Sequence, residues 1–125
     1  MSEAPVRLSI RQFAARCGLS ADTLRYYEKI GLLRQVARDA SGFRVYGPRD
    51  LEWIGFILRL KDTGMALDDI IRYADLRECG DTTLAARQAL LEQHAAGLHE
   101  RIQRDHQHLD ALQAKIALYR QQTSA

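Results

Sequence analysis

The sequence predicts a mainly α fold in which a winged helix-turn-helix domain is followed by a long coiled-coil dimerisation helix. Three observations carry this prediction. Two short amphipathic helices lie close together along the chain, a turn cluster separates two short extended segments, and an apolar seven-residue repeat runs through the last part. We expect residues 1–76 to form the winged domain with its supporting helices, and residues 77–125 to form the dimerisation helix.

The first two helices follow from their capping signals. Ser9 and Gln12 have the spacing of a capping box, in which each side chain hydrogen-bonds the backbone N–H of the other residue. Gly18 ends this helix, and Ser20 is a favourable N-cap for a second helix that runs to about Ile30. A link this short, with a glycine in it, is typical of a helix-turn-helix corner.

The stretch after the second helix has no helical stripe and predicts a β-hairpin, or wing. Residues 39–42 read Asp-Ala-Ser-Gly, a turn cluster between the short segments 35–38 and 43–46. Pro48 suits the first turn of a third helix, which Gly64 closes, and a shorter fourth helix spans about residues 67–76.

The last helix carries the pairing signal. After a break at Cys79, we expect Asp81 to cap a helix of about forty residues, well beyond the usual helix length. In one heptad register, nine of the eleven seam positions are apolar. A second copy of the chain is the expected partner, giving a homodimer; the alternative is that the helix packs back on its own N-terminal domain. The expected interface residues are Leu84, Leu91, Leu98, Ile102, Leu109, Leu112 and Ile116.

Charge is unevenly distributed along the chain. The net charge is only +2, but residues 1–49 contain nine Lys or Arg against four Asp or Glu, and residues 65–125 contain seven against nine. A basic N-terminal half suits a polyanion, because each cation that meets a phosphate releases condensed counterions. A solvated charged face would have the same composition, so the motifs decide between the two.

The second helix has polar side chains of the kinds that reach phosphates or base edges. The second helix of this motif enters the major groove by its N-terminal residues. Leu24 would face the first helix, and Tyr27 would be partly buried, although both Tyr26 and Tyr27 could be ordinary core residues. The expected DNA contacts are Thr23, Arg25, Tyr26 and Lys29.

The wing adds further cations. Arg38, Arg44 and Tyr46 lie on its two segments, and Arg34 and Arg49 flank it. Arginines around an exposed turn, with an aromatic residue among them, suit contact with the DNA backbone beside the groove. We expect Arg38, Arg44 and Tyr46 to contact DNA; a solvated hairpin is the alternative.

Two runs of residues resemble the MerR family of bacterial regulators. Residues 23–33 read T-L-R-Y-Y-E-K-I-G-L-L, and residues 38–46 read R-D-A-S-G-F-R-V-Y. The similarity continues through residues 50–54 and the Gly64 turn into the long helix. It therefore covers nearly the whole chain.

The resemblance implies a homodimer joined by an antiparallel coiled coil of the last helices. It also implies a pseudo-palindromic site in double-stranded promoter DNA, which the dimer distorts so that RNA polymerase can engage. Such distortion costs of order 1–10 kcal/mol and is offset by extra backbone contacts.

The effector is less defined. Metal-sensing members carry cysteines at the start of the dimer helix and in a loop after it; Cys79 matches the first, and the second has no counterpart, so no metal is expected. Residues 73–87 resemble small-effector members, including regulators of aldehyde or thiol stress. Those use a cysteine in the third helix, where residues 56–60 have none. Cys79 is the candidate effector or redox residue if the following helix lowers its pKa; a plain hinge is the alternative. No cofactor is expected.

Enzymatic motifs are missing from the sequence, so no catalytic residue is expected. The alternative function is a coiled-coil protein–protein adaptor whose basic domain is incidental. No apolar run approaches the roughly 18–20 residues of a membrane span, and the N-terminus does not resemble a signal peptide. We therefore expect a cytoplasmic protein with no membrane partner.

Overall fold

The computed structural model describes residues 7–124, which form two compact units, one ending at Arg87 and one beginning at Gln88. The chain is mainly helical with a small two-stranded wing, as predicted. None of the helices in the described range has the length and hydropathy that crossing a membrane requires. The elements in chain order are α1 (Ile10–Cys17), α2 (Ala21–Lys29), β1 (Ala37–Arg38), β2 (Arg44–Val45), α3 (Pro48–Asp62), α4 (Leu67–Glu78), a 3₁₀ turn (Asp81–Thr83) and α5 (Leu84–Thr123).

The predicted caps of α1 and α2 are confirmed. The Ser9 hydroxyl accepts a hydrogen bond from the Gln12 N–H at 3.2 Å, and the Ser9 N–H donates to Gln12 Oε1 at 3.0 Å. The Ser20 hydroxyl likewise accepts from the Thr23 N–H at 3.0 Å. These bonds satisfy N–H groups that the first turn of a helix leaves without partners. The helix-turn-helix corner is therefore built from local signals.

The core of the first unit fixes how α2 is presented. Leu24 is fully buried, as predicted, and so are Phe13 of α1 and the α3 residues Ile54 and Ile57. Each such side chain stabilises the fold by about 1.5–3 kcal/mol. Because Leu24 and Tyr27 occupy the inner face of α2, its polar residues lie on the opposite face.

The wing is an antiparallel hairpin, as predicted. Ala37 pairs with Val45 and Arg38 with Arg44. In the turn, one oxygen of the Asp39 carboxylate accepts hydrogen bonds from the N–H groups of residues 41 and 43 at 2.9 and 3.0 Å. Gly42 adopts φ 85°, a left-handed backbone conformation that residues other than glycine rarely adopt.

The expected cap of the last helix is wrong. Asp81 begins a 3₁₀ turn, and α5 starts at Leu84. The Thr83 hydroxyl lies 2.5 Å from the Leu76 carbonyl and 2.8 Å from the Gly80 carbonyl. These contacts tie the turn to the end of α4, so the first unit extends to Arg87 rather than ending near residue 76.

The seam of α5 is exposed to solvent along most of its length. Leu112 is 62% exposed, and Leu84, Ile102, Leu109 and Ile116 are also exposed. Leu91 and Leu98 are half-buried. Apolar side chains at a heptad spacing are stabilised when a partner helix covers them. The pairing of two copies stays a prediction.

Candidate nucleic-acid interface

The outer face of α2 carries the predicted polar residues. Arg25, Tyr26 and Lys29 are exposed, whereas Thr23 is half-buried beside the N-cap. The Ser20 hydroxyl donates to Thr23 Oγ1 at 2.9 Å. Tyr27 is only 5% exposed, which confirms its predicted burial. The exposed face therefore presents two cations and a tyrosine.

Arg25 forms an exposed ion pair that it can give up for a phosphate. Its Nη1 lies 2.9 Å from Asp22 Oδ1, and the Asp22 side chain is 95% exposed. An ion pair this exposed contributes roughly 0–1 kcal/mol, because water screens both charges. A phosphate that approaches α2 could therefore take the guanidinium from Asp22 at little cost.

Glu28 joins the wing to α2. Its Oε2 lies 2.5 Å from Arg44 Nε, and its Oε1 lies 3.6 Å from Arg38 Nη2. Hydrogen bonding to Glu28 raises the pKa of the Arg44 guanidinium, and partial burial opposes this effect. We call these three residues the Glu28 clamp. It holds both predicted wing arginines beside α2, the helix that is expected to enter the major groove and that we call the recognition helix.

Sequence reasoning missed Glu28. The only local signal was an acidic residue between Arg25 and Lys29, and the partners of Glu28 lie 10 and 16 residues further along the chain, in the hairpin. Arg38 is held further by a hydrogen bond from its Nη1 to the Gly42 carbonyl at 3.1 Å. Two preorganised guanidiniums at a fixed separation suit two oxygens of a phosphate backbone.

Lys61 is a second residue that the sequence did not single out. It lies in the last turn of α3, and its Nζ is 3.4 Å from the Tyr27 hydroxyl. Tyr27 belongs to α2, so folding brings an exposed α3 cation to the recognition helix. The hydrophobic pattern of α3 could not reveal this, because it depends on how the two helices cross.

The prediction that Tyr46 contacts DNA is wrong. Tyr46 is 0% exposed, and its ring stacks on Phe13 with centroids 4.3 Å apart. Its backbone also exchanges two hydrogen bonds of 2.8 Å with Leu8. Burying a large aromatic surface outweighs the use of its single hydroxyl. The residue supports the wing from beneath.

Replacing Tyr46 with phenylalanine is expected to leave stability unchanged or to raise it by roughly 1 kcal/mol. The buried Tyr46 hydroxyl has no hydrogen-bond partner within residues 7–124, and burial raises the pKa of its phenol. Thermal unfolding followed by circular dichroism measures the change. Tyr27→Phe is the matched control and should destabilise, because the Tyr27 hydroxyl contacts Lys61. A clear loss of stability in Tyr46→Phe would show that its hydroxyl is satisfied.

The arginines that flank the wing have different positions. Arg34 forms an ion pair with Asp75 of α4, and its Nε donates to the Gly31 carbonyl at 2.7 Å. Gln35 Nε2 donates to Glu78 Oε1 at 2.8 Å. Both residues attach the loop between α2 and the wing to the end of α4.

The two cysteines differ in their surroundings. Cys79 is exposed at the end of α4, whereas Cys17 is half-buried, and burial raises the pKa of its thiol. A raised pKa lowers the thiolate fraction and with it the reactivity of Cys17. Within the described range, no group of three or more His, Cys, Asp or Glu side chains could hold a metal ion.

Comparisons with known proteins agree on one family. Residues 8–76 match the model of the MerR HTH family regulatory protein, and residues 51–114 match that of MerR, DNA binding. An HTH-type transcriptional regulator of Haemophilus influenzae is 41% identical over 106 residues, or 85% of this chain and 78% of that protein. The regulator AdhR of Bacillus subtilis is 42% identical over 84 residues, or 67% of this chain and 60% of its own length.

A solved structure is similar over nearly the same length. It is the crystal structure of HiNmlR, a MerR family regulator lacking the sensor domain, bound to promoter DNA. Its TM-score is 0.86 at 36% identity, and the match covers 96% of this chain and 95% of that one.

Proposed function

The chain belongs to the MerR family of helix-turn-helix transcription regulators, and we propose that it binds promoter DNA as a homodimer to control transcription. The observation that carries the proposal is the Glu28 clamp, which fixes Arg38 and Arg44 beside the exposed face of α2. Its action is binding rather than catalysis. We place the protein in the cytoplasm, where promoter DNA is found.

Each protomer would use α2 and the wing together. The N-terminal part of α2 enters the major groove, where Arg25 can fork onto a phosphate or onto the O6 and N7 atoms of guanine. Tyr26 and Lys29 of the same helix would contact the DNA backbone. Of the four predicted contact residues of α2, Thr23 lies nearest the N-terminus of the helix. The wing arginines of the clamp grip the backbone beside the groove.

Two copies would be joined through the exposed seam of α5. A coiled coil would fix the separation of the two recognition helices, which sets the spacing of the half-sites in a pseudo-palindromic operator. Distorting that DNA would bring the promoter into the form that RNA polymerase uses. The exposure of Leu112 and Ile116 supports this pairing.

The alternative is a protein–protein adaptor whose coiled coil recruits another helix. It gives no role to the Glu28 clamp, because an adaptor has no need of paired guanidiniums beside an exposed helix. The two functions also differ in how binding depends on salt.

Salt-dependent binding tests the proposal. The partner would be a duplex from the region upstream of the gene, identified by footprinting. If each protomer places four cations on phosphates, the dimer contacts about eight phosphates. Its affinity should then fall at least roughly 1,000-fold between 50 and 200 mM salt. Fluorescence anisotropy of the labelled duplex gives the affinities.

A scrambled duplex of equal length is the control. It should bind more weakly at every salt concentration, because base contacts distinguish the two sequences while phosphate contacts do not. Equal affinity for both duplexes would argue against sequence recognition. A flat salt dependence would favour the adaptor.

A further inference from the structure

An aromatic cleft lies between α3 and α4, on residues that the proposed DNA contacts do not use. The rings of Trp53 and Tyr73 stack with centroids 5.9 Å apart, and Phe56 lies 5.5 Å from Tyr73. All three rings are half-buried rather than buried. The cleft that they line has a volume of about 410 Å³, within the range of small-molecule sites.

The rim of this cleft is cationic. Arg49, Arg77 and Arg87 line it, against the single carboxylate of Glu52. The Arg77 guanidinium carbon lies 4.2 Å above the centre of the Trp53 ring. A cation over an aromatic face is attracted by the electrons of the ring and is held in place there.

Arg87 is held by hydrogen bonds to one side chain and one backbone carbonyl. Its Nε donates to Thr83 Oγ1 at 3.1 Å, and its Nη2 donates to the Gly80 carbonyl at 3.2 Å. These bonds leave its charge unneutralised, because neither partner is an anion. An arginine held in one geometry loses less entropy when it binds a ligand than a mobile one does.

The carboxylates at the end of α4 are already engaged elsewhere. Asp75 pairs with Arg34, and Glu78 accepts from Gln35. Within residues 7–124, neither Arg49 nor Arg77 forms an ion pair with a carboxylate. The cleft therefore has an excess of positive charge beside an aromatic floor.

We infer that this cleft is a binding site for a small aromatic carboxylate. An aromatic ring would pack against the exposed edges of Trp53, Phe56 and Tyr73, because Tyr73 and the Arg77 guanidinium already cover the faces of Trp53. The carboxylate would accept charge-assisted hydrogen bonds from the guanidinium of Arg77, with Arg49 and Arg87 adding to the positive potential. A neutral aromatic compound would lack the charge-assisted hydrogen bonds to the arginines. An aliphatic acid would lack the packing of an aromatic ring against the aromatic side chains.

The floor of the cleft is connected to the loop that follows the recognition helix. Trp53 Nε1 donates to the Leu32 carbonyl at 2.6 Å, and Leu32 lies between α2 and the wing. Arg34 and Gln35 tie the same loop to α4. Gln35 has φ 54°, a conformation that residues other than glycine rarely adopt. A ligand that shifts Trp53 would therefore act on a loop that contacts hold in an unfavourable geometry.

Binding can be measured on the free protein through Trp53, the only tryptophan in the sequence. Benzoate is the probe. We expect a saturable change in tryptophan emission with benzoate, at least about tenfold weaker binding of benzyl alcohol, and weaker binding of cyclohexanecarboxylate. No saturation, or equal affinity for benzoate and benzyl alcohol, would overturn the inference.

Variants locate the site. Arg77→Gln should weaken benzoate binding by about tenfold, since it removes one charge-assisted contact. Arg72→Gln is the matched control, an exposed arginine on the same helix, and should bind as the unmodified protein does. Dissociation constants are compared rather than amplitudes, because Arg77 itself affects Trp53. Arg49→Gln replaces Arg77→Gln if circular dichroism shows that the latter does not fold. Equal benzoate dissociation constants for Arg77→Gln (or Arg49→Gln) and for Arg72→Gln would rule out this cleft.

Coupling to DNA rests on the proposed function and has its own readout. Saturating benzoate should change the operator dissociation constant, and the operator should change the benzoate constant by the same factor, because linkage is reciprocal. Benzoate binding that leaves operator affinity unchanged would keep the site and overturn its connection to the loop. If the protein failed to bind the operator even in the absence of benzoate, that result would count against the proposed function. The benzoate site measured by fluorescence would be unaffected.

Discussion

Replacing both Leu98 and Leu112 with aspartate is expected to dissociate the homodimer and to abolish operator binding at the same time. Both residues lie on the heptad seam of α5, and Leu112 is 62% exposed in the single chain. In the dimer each would be covered by the partner helix. An aspartate there would place a charge in an apolar interface.

The expected size of the effect follows from the symmetry of the dimer. Two replacements per chain affect four sites, and at about 3 kcal/mol per site the cost is roughly 12 kcal/mol. A dimer with micromolar affinity is held together by only about 8 kcal/mol. A monomer engages one half-site, so operator affinity should fall at least about a hundredfold as bivalent binding is lost.

Sedimentation equilibrium measures the dimer, and anisotropy of a labelled operator measures the binding. The matched control replaces Gln93 and Gln107 with aspartate, which adds the same charge at the same separation along the helix. Both glutamines are exposed and lie outside the seam. The control should remain dimeric. Operator binding by a monomeric Leu98→Asp, Leu112→Asp variant at the unmodified affinity would contradict the dimeric mode.

The second large effect is expected at the wing. Arg44→Ala should weaken operator binding by about a hundredfold, because each of two protomers loses a contact of roughly 1–3 kcal/mol. It should also leave Glu28 with only the more distant Arg38, whose Nη2 lies 3.6 Å from it. The less compensated carboxylate would then repel phosphates. Arg25→Ala should also weaken binding, but its pair with Asp22 is exposed, so the substitution leaves no half-buried carboxylate uncompensated.

The contribution of the clamp can be separated from that of the lost contact. Adding Glu28→Gln to Arg44→Ala removes the repelling charge, so part of the affinity should return. Arg72→Ala, on the exposed face of α4, is the control and should bind the operator normally. Sedimentation should show that every arginine variant remains dimeric. If Arg25→Ala and Arg44→Ala bound as tightly as the unmodified protein, the assignment of these DNA contacts would be wrong.

Several features could be predicted because their causes lie within a few residues. The caps at Ser9 and Ser20 and the Asp39 turn depend on hydrogen bonds between near neighbours. The seam of α5 follows from a repeat that can be counted along the chain. These signals are sufficient for the helix-turn-helix, the wing and the long helix.

Other features depend on partners that only folding brings together. Sequence spacing did not indicate that Tyr46 stacks on Phe13, that Glu28 pairs with Arg44, or that Lys61 reaches Tyr27. The expected cap at Asp81 was wrong for the same reason, since Thr83 contacts the earlier helix α4 at the Leu76 carbonyl. A residue's type limits which interactions it can make, and the packing of the core decides which of them it does make.

The sequence by itself therefore determined the order of helices, the hairpin and the apolar seam, together with the group of cations from which an interface could be built. The tertiary structure decided which of those residues lie on the surface. Tyr46 lies in the core, because burial of its ring stabilises the fold by more than solvation of its hydroxyl would. Arg44 was held at the surface beside α2, because Glu28 offers it a carboxylate at 2.5 Å.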